Sequence, residues 1–441
     1  MTYHNISLAA AFILLSALFT TSANAQTKSL VDIQNDSLKA SHKIITFGGS
    51  DNAPAQAHTD SVRTLIESFY YDQFRHFSDP AAPYFLFMSK DANLAMGVGG
   101  AVRMRGYFDW GGAIPAAGFA PALIPMTPVP TQMRHFDTTP AGSCLFFRVL
   151  GRNSFVNHYQ LYIEANFNGW QARDFHLKKA YAIINDFTIG YATSTFSDPA
   201  AIPPTVDAQG PNNKISNTNV LVRWMPRVKQ HWVFAVSAET PATKINTDNV
   251  TTSKIDNWIP DLAIFAQYEW GPTSHIRLSG IVRALSYRDI PAATNHYLAG
   301  WGLLLSGVGH PIPQLTTYGT ISYGHGYAGL GGDLMTGNYD LVPDNPGHLY
   351  APALLGWNIG VQYNILPNLF VSTSLSLNRY LPSHSPSPDE YRYGMASDVN
   401  IFWNMTPRIQ VGAEFDYGIR KNFDGQSRSA RRIGAMAQFS F

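Results

Sequence analysis

The sequence predicts an all-β chain, a transmembrane antiparallel β-barrel of about sixteen strands with a short N-terminal extension. Three observations carry that expectation. From about residue 92 to residue 441, apolar residues recur at every second position in stretch after stretch. The connections between these stretches are tight at one end and long or variable at the other. Charged residues make up only 14% of the 441 residues while aromatics reach 13%, a balance unlike that of a water-facing surface.

The N-terminal elements come first. Residues 1–25 have the layout of an export signal. An apolar run over 6–19 is too short to span a bilayer as a helix, and Ala23-Asn24-Ala25 follows as a small-x-small cleavage site. The run is preceded by His4 and by no Lys or Arg. Residues 26–91 form a separate periplasmic segment, partly helical or disordered. There Asp60-Ser61 precede a helical stripe of Val62, Leu65, Ile66, Phe69 and Phe74, ended by Asp79-Pro80-Ala81-Ala82-Pro83. No later stretch is long and apolar enough for a membrane helix, so the crossing falls to strands.

The barrel occupies 92–441. Strands are expected at 93–110, 144–152, 156–169, 173–184, 186–195, 218–227, 229–239, 258–270, 274–287, 294–309, 313–329, 351–365, 368–380, 391–404, 408–421 and 429–441. The pattern is plain in Ile409, Val411, Ala413, Phe415, Tyr417 and Ile419, which alternate with Gln410, Gly412, Glu414, Asp416, Gly418 and Arg420. Long or variable loops follow odd-numbered strands, at 111–143, 196–217, 240–257, 330–350, 381–390 and 422–428. Short turns such as Asn185, Gly271-Pro272 and Leu366-Pro367 follow even ones. Trp110, Trp170, Trp224, Trp232, Trp270, Trp357 and Trp403 sit at or near strand ends, where indoles favour the lipid–water boundary. Closure is required because an open sheet edge in hydrocarbon leaves N–H and C=O groups unpaired.

Composition and motifs exclude several classes. A net charge of +1 gives no basic face for nucleic acid, and a single cysteine, Cys144, excludes an internal disulfide framework. Gly324-His325-Gly326-Tyr327-Ala328-Gly329 matches G-x-G-x-x-G but lacks the βαβ context that gives that motif meaning. The histidines are scattered, and Ser279 and His275 share a face four residues apart, too far for a hydrogen-bonded dyad. No catalytic residue, metal or cofactor is expected.

Several segments carry a family likeness. HLKKAYAII, TIGYATSTFSDP, VDAQGPNN, VLVRW and FAVSAETP within 176–241, PDLAIFAQYEW at 260–270, HIRLSGIVRALSYRD at 275–289 and GWGLLLSG at 300–307 resemble the DcaP-like trimeric porins of bacterial outer membranes. The likeness covers most of 92–441 and is strongest from Leu177 to Gly307. It implies a sixteen-stranded barrel, a homotrimer in the outer membrane of a Gram-negative bacterium, and passive uptake of small, often anionic, solutes. Phe441, with Phe439, resembles the terminal strand read by barrel-assembly machinery. Partners are then outer-membrane lipid, further copies of the chain, small solutes and that machinery.

Alternation assigns the inward face. Arg103, Arg148, Glu164, Lys178, Arg223, Arg283, Glu414 and Arg432 are the mid-strand inward charges and the candidate pore-lining residues. Glu414, Arg432, Arg103, Arg148 and Glu164 fall on five neighbouring strands at similar height once the last strand pairs with the first. They form either a basic patch that gathers carboxylates and phosphates or a ladder in which the acids neutralise the arginines. Lys179 falls outward by strict alternation, which is costly in mid-membrane, so its strand bulges or the residue lies in an interface. The Pro- and Gly-rich loop 196–217, with Asp198, Asp207 and Gln209, either folds inward as a constriction or contacts a neighbouring subunit. Loop 111–143, with its apolar and Pro residues, suits a latch at a subunit contact. The expected function is diffusion of small hydrophilic, carboxylate-type anions. The alternatives are a plugged or surface-binding barrel and, last, an outer-membrane hydrolase.

Overall fold

The computed structural model describes residues 43–47, 85–89 and 94–441, the last apart from 113, 115–117, 152–155, 157–158, 169–173, 272, 336 and 385. The expected export signal and the helical stripe at 62–74 lie outside the described residues. Sixteen antiparallel strands close into a barrel. They are β1 (Leu94–Trp110), β2 (Cys144–Gly151), β3 (Tyr159–Asn168), β4 (Asp174–Ile184), β5 (Phe187–Thr193), β6 (Thr218–Trp224), β7 (Trp232–Glu239), β8 (Asp261–Glu269), β9 (His275–Asp289), β10 (Thr294–Ile312), β11 (Leu315–His325), β12 (Ala353–Leu366), β13 (Leu369–Leu381), β14 (Tyr391–Asn404), β15 (Ile409–Asn422) and β16 (Ser427–Ser440).

Closure is made by β16 on β1, from Arg431 opposite Trp110 to Ser440 opposite Ala101. The Phe441 N–H donates to the Gly100 carbonyl at 2.9 Å, and the Gly100 N–H donates back at 2.8 Å, so the terminal residue completes the seam. Beyond Phe441 the free edge of β1 is taken by Phe85–Ser89, antiparallel, and that strand is paired in parallel by Lys43–Phe47. No backbone edge of β1 is left to hydrocarbon, where an unpaired group costs several kcal/mol.

The two faces obey the strand period. Val102, Met104, Phe108, Val220, Val222, Leu262, Ile264 and Ile433 point outward and are exposed, while Arg105, Arg148, Glu164, Arg223, Glu414 and Arg432 point inward and are buried. Apolar groups face out and polar groups face in, as a lipid-embedded wall requires.

One end carries the long connections 111–143, 194–217, 240–260, 326–352 and 382–390; the other carries only short ones such as 185–186, 313–314 and 367–368. Two expectations shift. The strand expected to reach 329 stops at His325, because Gly326 takes φ +64° and the chain enters a 3-10 turn over Ala328–Leu330. The loop expected at 422–428 shrinks to a tight turn at 423–426, where Gly425 supplies φ +86° and its N–H donates to the Asn422 carbonyl at 3.2 Å.

The apolar core lies inside the barrel. Phe196 and Ile215 from the 194–217 connection pack with Tyr327, Leu330 and Leu334 from 326–352 and with Leu354, Tyr380 and Tyr391 of the wall. Long connections therefore fold into the mouth and bury their own apolar residues there.

Candidate functional site

Loop 194–217 is the element around which the interior is organised. Its first part is anchored on β9 and β10. Asp198 receives the Ser306 hydroxyl, contacts His275 Nε2 at 2.9 Å and lies 3.6 Å from Arg277 Nη1; the Arg277 group also donates to the Ser197 carbonyl at 3.0 Å. The chain then runs along the inner face of the wall past β13 and β14. The Pro204 carbonyl accepts from Ser372 at 2.9 Å and Asn400 at 3.0 Å. At the far end the Val206 and Asp207 N–H groups donate to the two Glu414 oxygens, each at 2.6 Å. The return strand of the loop is held by Asn212 on Ser376 and by Asn213 on Thr320 and Asn358.

Two guanidiniums meet this tip. Arg103 and Arg105 stand two residues apart on the inward face of β1. Both donate to the Val206 carbonyl, at 3.4 and 3.2 Å, and Arg103 adds a contact to Met436 Sδ at 3.0 Å. Arg105 is 4% exposed, and its Nε and Nη2 have no hydrogen-bond partner; nor does Arg103 Nε. Neither arginine forms an ion pair among the described residues.

The other interior cations also contact the protein. Arg432 holds Asp109 with two bonds, 2.6 and 3.0 Å, and Asp207 with a third at 3.0 Å. Arg283 reaches Asp261 at 3.0 Å, Asp340 at 3.1 Å, and the Gly326 and Ala242 carbonyls at 2.9 and 2.7 Å. Arg148 lies 4.9 Å over the Tyr162 ring, and Arg223 donates to the Thr193 carbonyl at 3.1 Å. Glu164 is fully buried, taking Lys178 at 2.8 Å and the Tyr162 hydroxyl at 3.0 Å.

The bulge alternative holds for Lys179. The β3–β4 register runs from Glu164 opposite Lys179 directly to Ala165 opposite Leu177, skipping Lys178. The extra residue brings Lys179 to 4% exposure, off the lipid face where its charge would be costly.

The five neighbouring charges are not one patch. The register sets Arg432 opposite Asp109, Arg103 opposite Gln438, and Arg148 opposite Gly97. Arg432 is neutralised by Asp109 and Asp207, while Glu414 binds the loop backbone and the Asn400 amide. Asp207 also caps the Phe119 and Gln209 N–H groups, each at 2.8 Å, which ties the tip to loop 111–143.

No protein-family model and no curated protein matches the chain. Solved structures do. The outer membrane channel DcaP of Acinetobacter baumannii is 18% identical with a TM-score of 0.68, covering 79% of this chain and 98% of that one. The barrel is DcaP-like in fold. An anion-selective porin from Comamonas acidovorans follows at 9% identity and a TM-score of 0.52, covering 79% of this chain and 100% of that one. A loop L8 deletion mutant of OmpT from Vibrio cholerae has 10% identity and a TM-score of 0.50, with the same coverages.

In this DcaP-like barrel, sequence reasoning passed over Arg105, Asp109 and Arg277. Each had a signal: Arg105 and Asp109 share the inward phase of Arg103, and Arg277 shares that of Arg283. Asp333, in the 326–352 connection, had none. It is 1% exposed and joins three segments, accepting from Ala122 N–H at 3.0 Å, the Tyr391 hydroxyl at 2.8 Å and Asn212 Nδ2 at 3.4 Å. Burial pushes its carboxyl up to about 6. The folded state therefore binds the proton more tightly than the unfolded chain. The resulting stabilisation is full below the ordinary value near ~4 and is lost as pH rises through about 6. Hydrogen-exchange protection over 118–124 and 326–335, corrected for the pH dependence of intrinsic exchange, is expected to rise on going from neutral to mildly acid pH, by an opening free energy on the order of 1–3 kcal/mol. In Asp333→Asn that pH dependence should vanish.

Proposed function

We propose that the chain is an outer-membrane porin for passive diffusion of small hydrophilic anions, carboxylates foremost. One observation carries the anion preference. Arg103 and Arg105 converge on the tip of an inward loop with donors that no carboxylate consumes, whereas Arg277, Arg283 and Arg432 are paired with acids. Two guanidinium charges that no carboxylate pairs make the potential at this tip favour an anion over a cation. The other candidate residues take narrower roles in this reading. Glu164, Lys178, Arg148 and Arg223 line the wall, while Asp198, Asp207, Gln209 and Glu414 hold the constriction. The Comamonas porin, anion-selective itself, has the same barrel architecture.

The orientation follows the loops: short turns in the periplasm and long connections outside. Phe441 at the seam is the contact offered to assembly machinery, and the working unit is a homotrimer. Planar-bilayer recording tests the reading. An anion-directed reversal potential and three conductance steps per insertion are expected, and a clear cation preference would overturn it.

A plugged barrel is the second reading. The interior packing of Phe196, Ile215, Tyr327 and Leu334 favours it, because the connections occupy much of the mouth. Steady silence in the same recordings would select it. Glu414→Ala separates the two further. Loss of two charge-assisted bonds weakens docking of the loop tip by about 3 kcal/mol. Single-channel conductance should then rise and become noisier; an unchanged conductance would show that 203–209 does not limit the pore.

A further inference from the structure

The outward face of β15, β16, β1 and the short strand Arg134–Thr139 is layered. Tyr417 pairs with Arg431, Arg431 with Trp110, and Trp110 with Arg134, making one continuous row across four strands. One step towards the short-turn end the row is Phe415, Ile433, Phe108 and Phe136, wholly apolar, with Phe136 66% exposed. The next row is Ala413, Ala435, Gly106 and Thr138, whose small side chains leave a shallow trough.

The upper row is positively charged. Arg134 and Arg431 are exposed, and neither forms an ion pair among the described residues. Arg431 lies 5.9 Å over the Tyr417 ring, and Trp110 is 6.0 Å from Phe415 and from Phe108. Lys421 lies on the same outward phase of β15, nearer the loop end. The acids of these strands turn away: Asp109 is buried against Arg432, and Asp137 accepts from the inward Tyr107 hydroxyl at 3.2 Å. Neighbouring strands lie ~4.8 Å apart, so the Arg431 and Arg134 backbones, one on each side of Trp110, stand about 10 Å from each other. Aromatic side chains at a charged-to-apolar boundary mark the level of lipid headgroups.

We infer that this row docks the phosphorylated headgroup of a membrane lipid, whose acyl chain lies against the apolar row and in the trough beneath it. Two guanidiniums and a lysine with no outward carboxylate beside them among the described residues complement a multiply charged phosphate headgroup. The inference rests on the outer-membrane reading of the barrel, though not on its conductance.

The test uses the full-length protein in phosphatidylcholine nanodiscs doped with a bisphosphorylated glucosamine-disaccharide lipid or its dephosphorylated form. Lipid retained by the protein is counted by native mass spectrometry. The wild type should retain the phosphorylated lipid. The Arg134→Gln, Arg431→Gln double variant should lose affinity for it roughly thirtyfold, at about tenfold or less per cation. Neither protein should retain the dephosphorylated form. Heat-modifiable migration on a denaturing gel verifies that the variant is folded. Equal retention by wild type and variant would overturn the inference. So would disulfide cross-linking of Arg431→Cys to a second copy, which would make the row a subunit contact. A wild type that fails to conduct yet retains lipid in a phosphate-dependent way would sink the porin reading and support this one.

Discussion

Arg283→Met should destabilise the barrel by about 3–5 kcal/mol and release two of its long connections. The side chain is fully buried and bonded on every side. It binds Asp261 on β8, Asp340 and the Gly326 carbonyl of the 326–352 connection, and the Ala242 carbonyl of the 240–260 connection. Asp340 in turn accepts the Lys244 and Gly329 N–H groups, each at 2.8 Å. Methionine fills similar space but leaves two buried carboxylates facing no cation, and that residue of unpaired charge sets the cost. Denaturant unfolding in lipid vesicles measures the stability, and limited proteolysis at Lys244 and Lys254 measures the release. Arg283→Lys should fall between, since one ammonium cannot serve two acids and two carbonyls. A midpoint within about 1 kcal/mol of wild type, with the connections still protected, would show that the clamp is not what holds them.

Arg105→Glu should move the channel from anion towards cation preference by roughly tenfold in permeability ratio. Reversing a charge about 5 Å from an ion changes that ion's energy by about 1–2 kcal/mol in a high dielectric. The effect should shrink in molar salt, where the Debye length falls to about 3 Å. Arg103→Glu should act in the same direction. Arg431→Glu changes the same charge on the outward face and should leave the reversal potential unaltered. If Arg105→Glu and Arg431→Glu behave alike, the tip of the inward loop does not select the ion.

Much of this architecture could be read residue by residue. Val220, Val222 and Trp224 alternate with Leu221 and Arg223, and that alone separates the lipid side from the interior side of β6. Strand edges were less legible. Nothing local announces that β9 runs on to Asp289 beside Thr252–Lys254, because that extension is paid in hydrogen bonds to a distant connection. Lys179 posed a conflict between period and lipid, and a bulge resolved it by skipping Lys178 and setting Lys179 opposite Glu164 on the neighbouring strand.

The interior shows the same division. That Arg103, Arg105 and Arg432 share a side of the wall is a property of spacing in the chain. That Arg432 is neutralised while Arg103 and Arg105 keep unbonded donors depends on where Asp207 and the Val206 carbonyl arrive, from a loop 103 residues from Arg103 and 225 from Arg432.

The sequence by itself determined a closed antiparallel barrel, the direction most wall residues point and the asymmetry of its two ends. All three follow from period two and from the demand that backbone groups in lipid be paired. Only the tertiary structure decided which charges cancel, how far the long connections enter the mouth, and what Asp333 and Arg283 fasten together. Those outcomes depend on contacts between segments remote in the chain, whose distances no local pattern encodes.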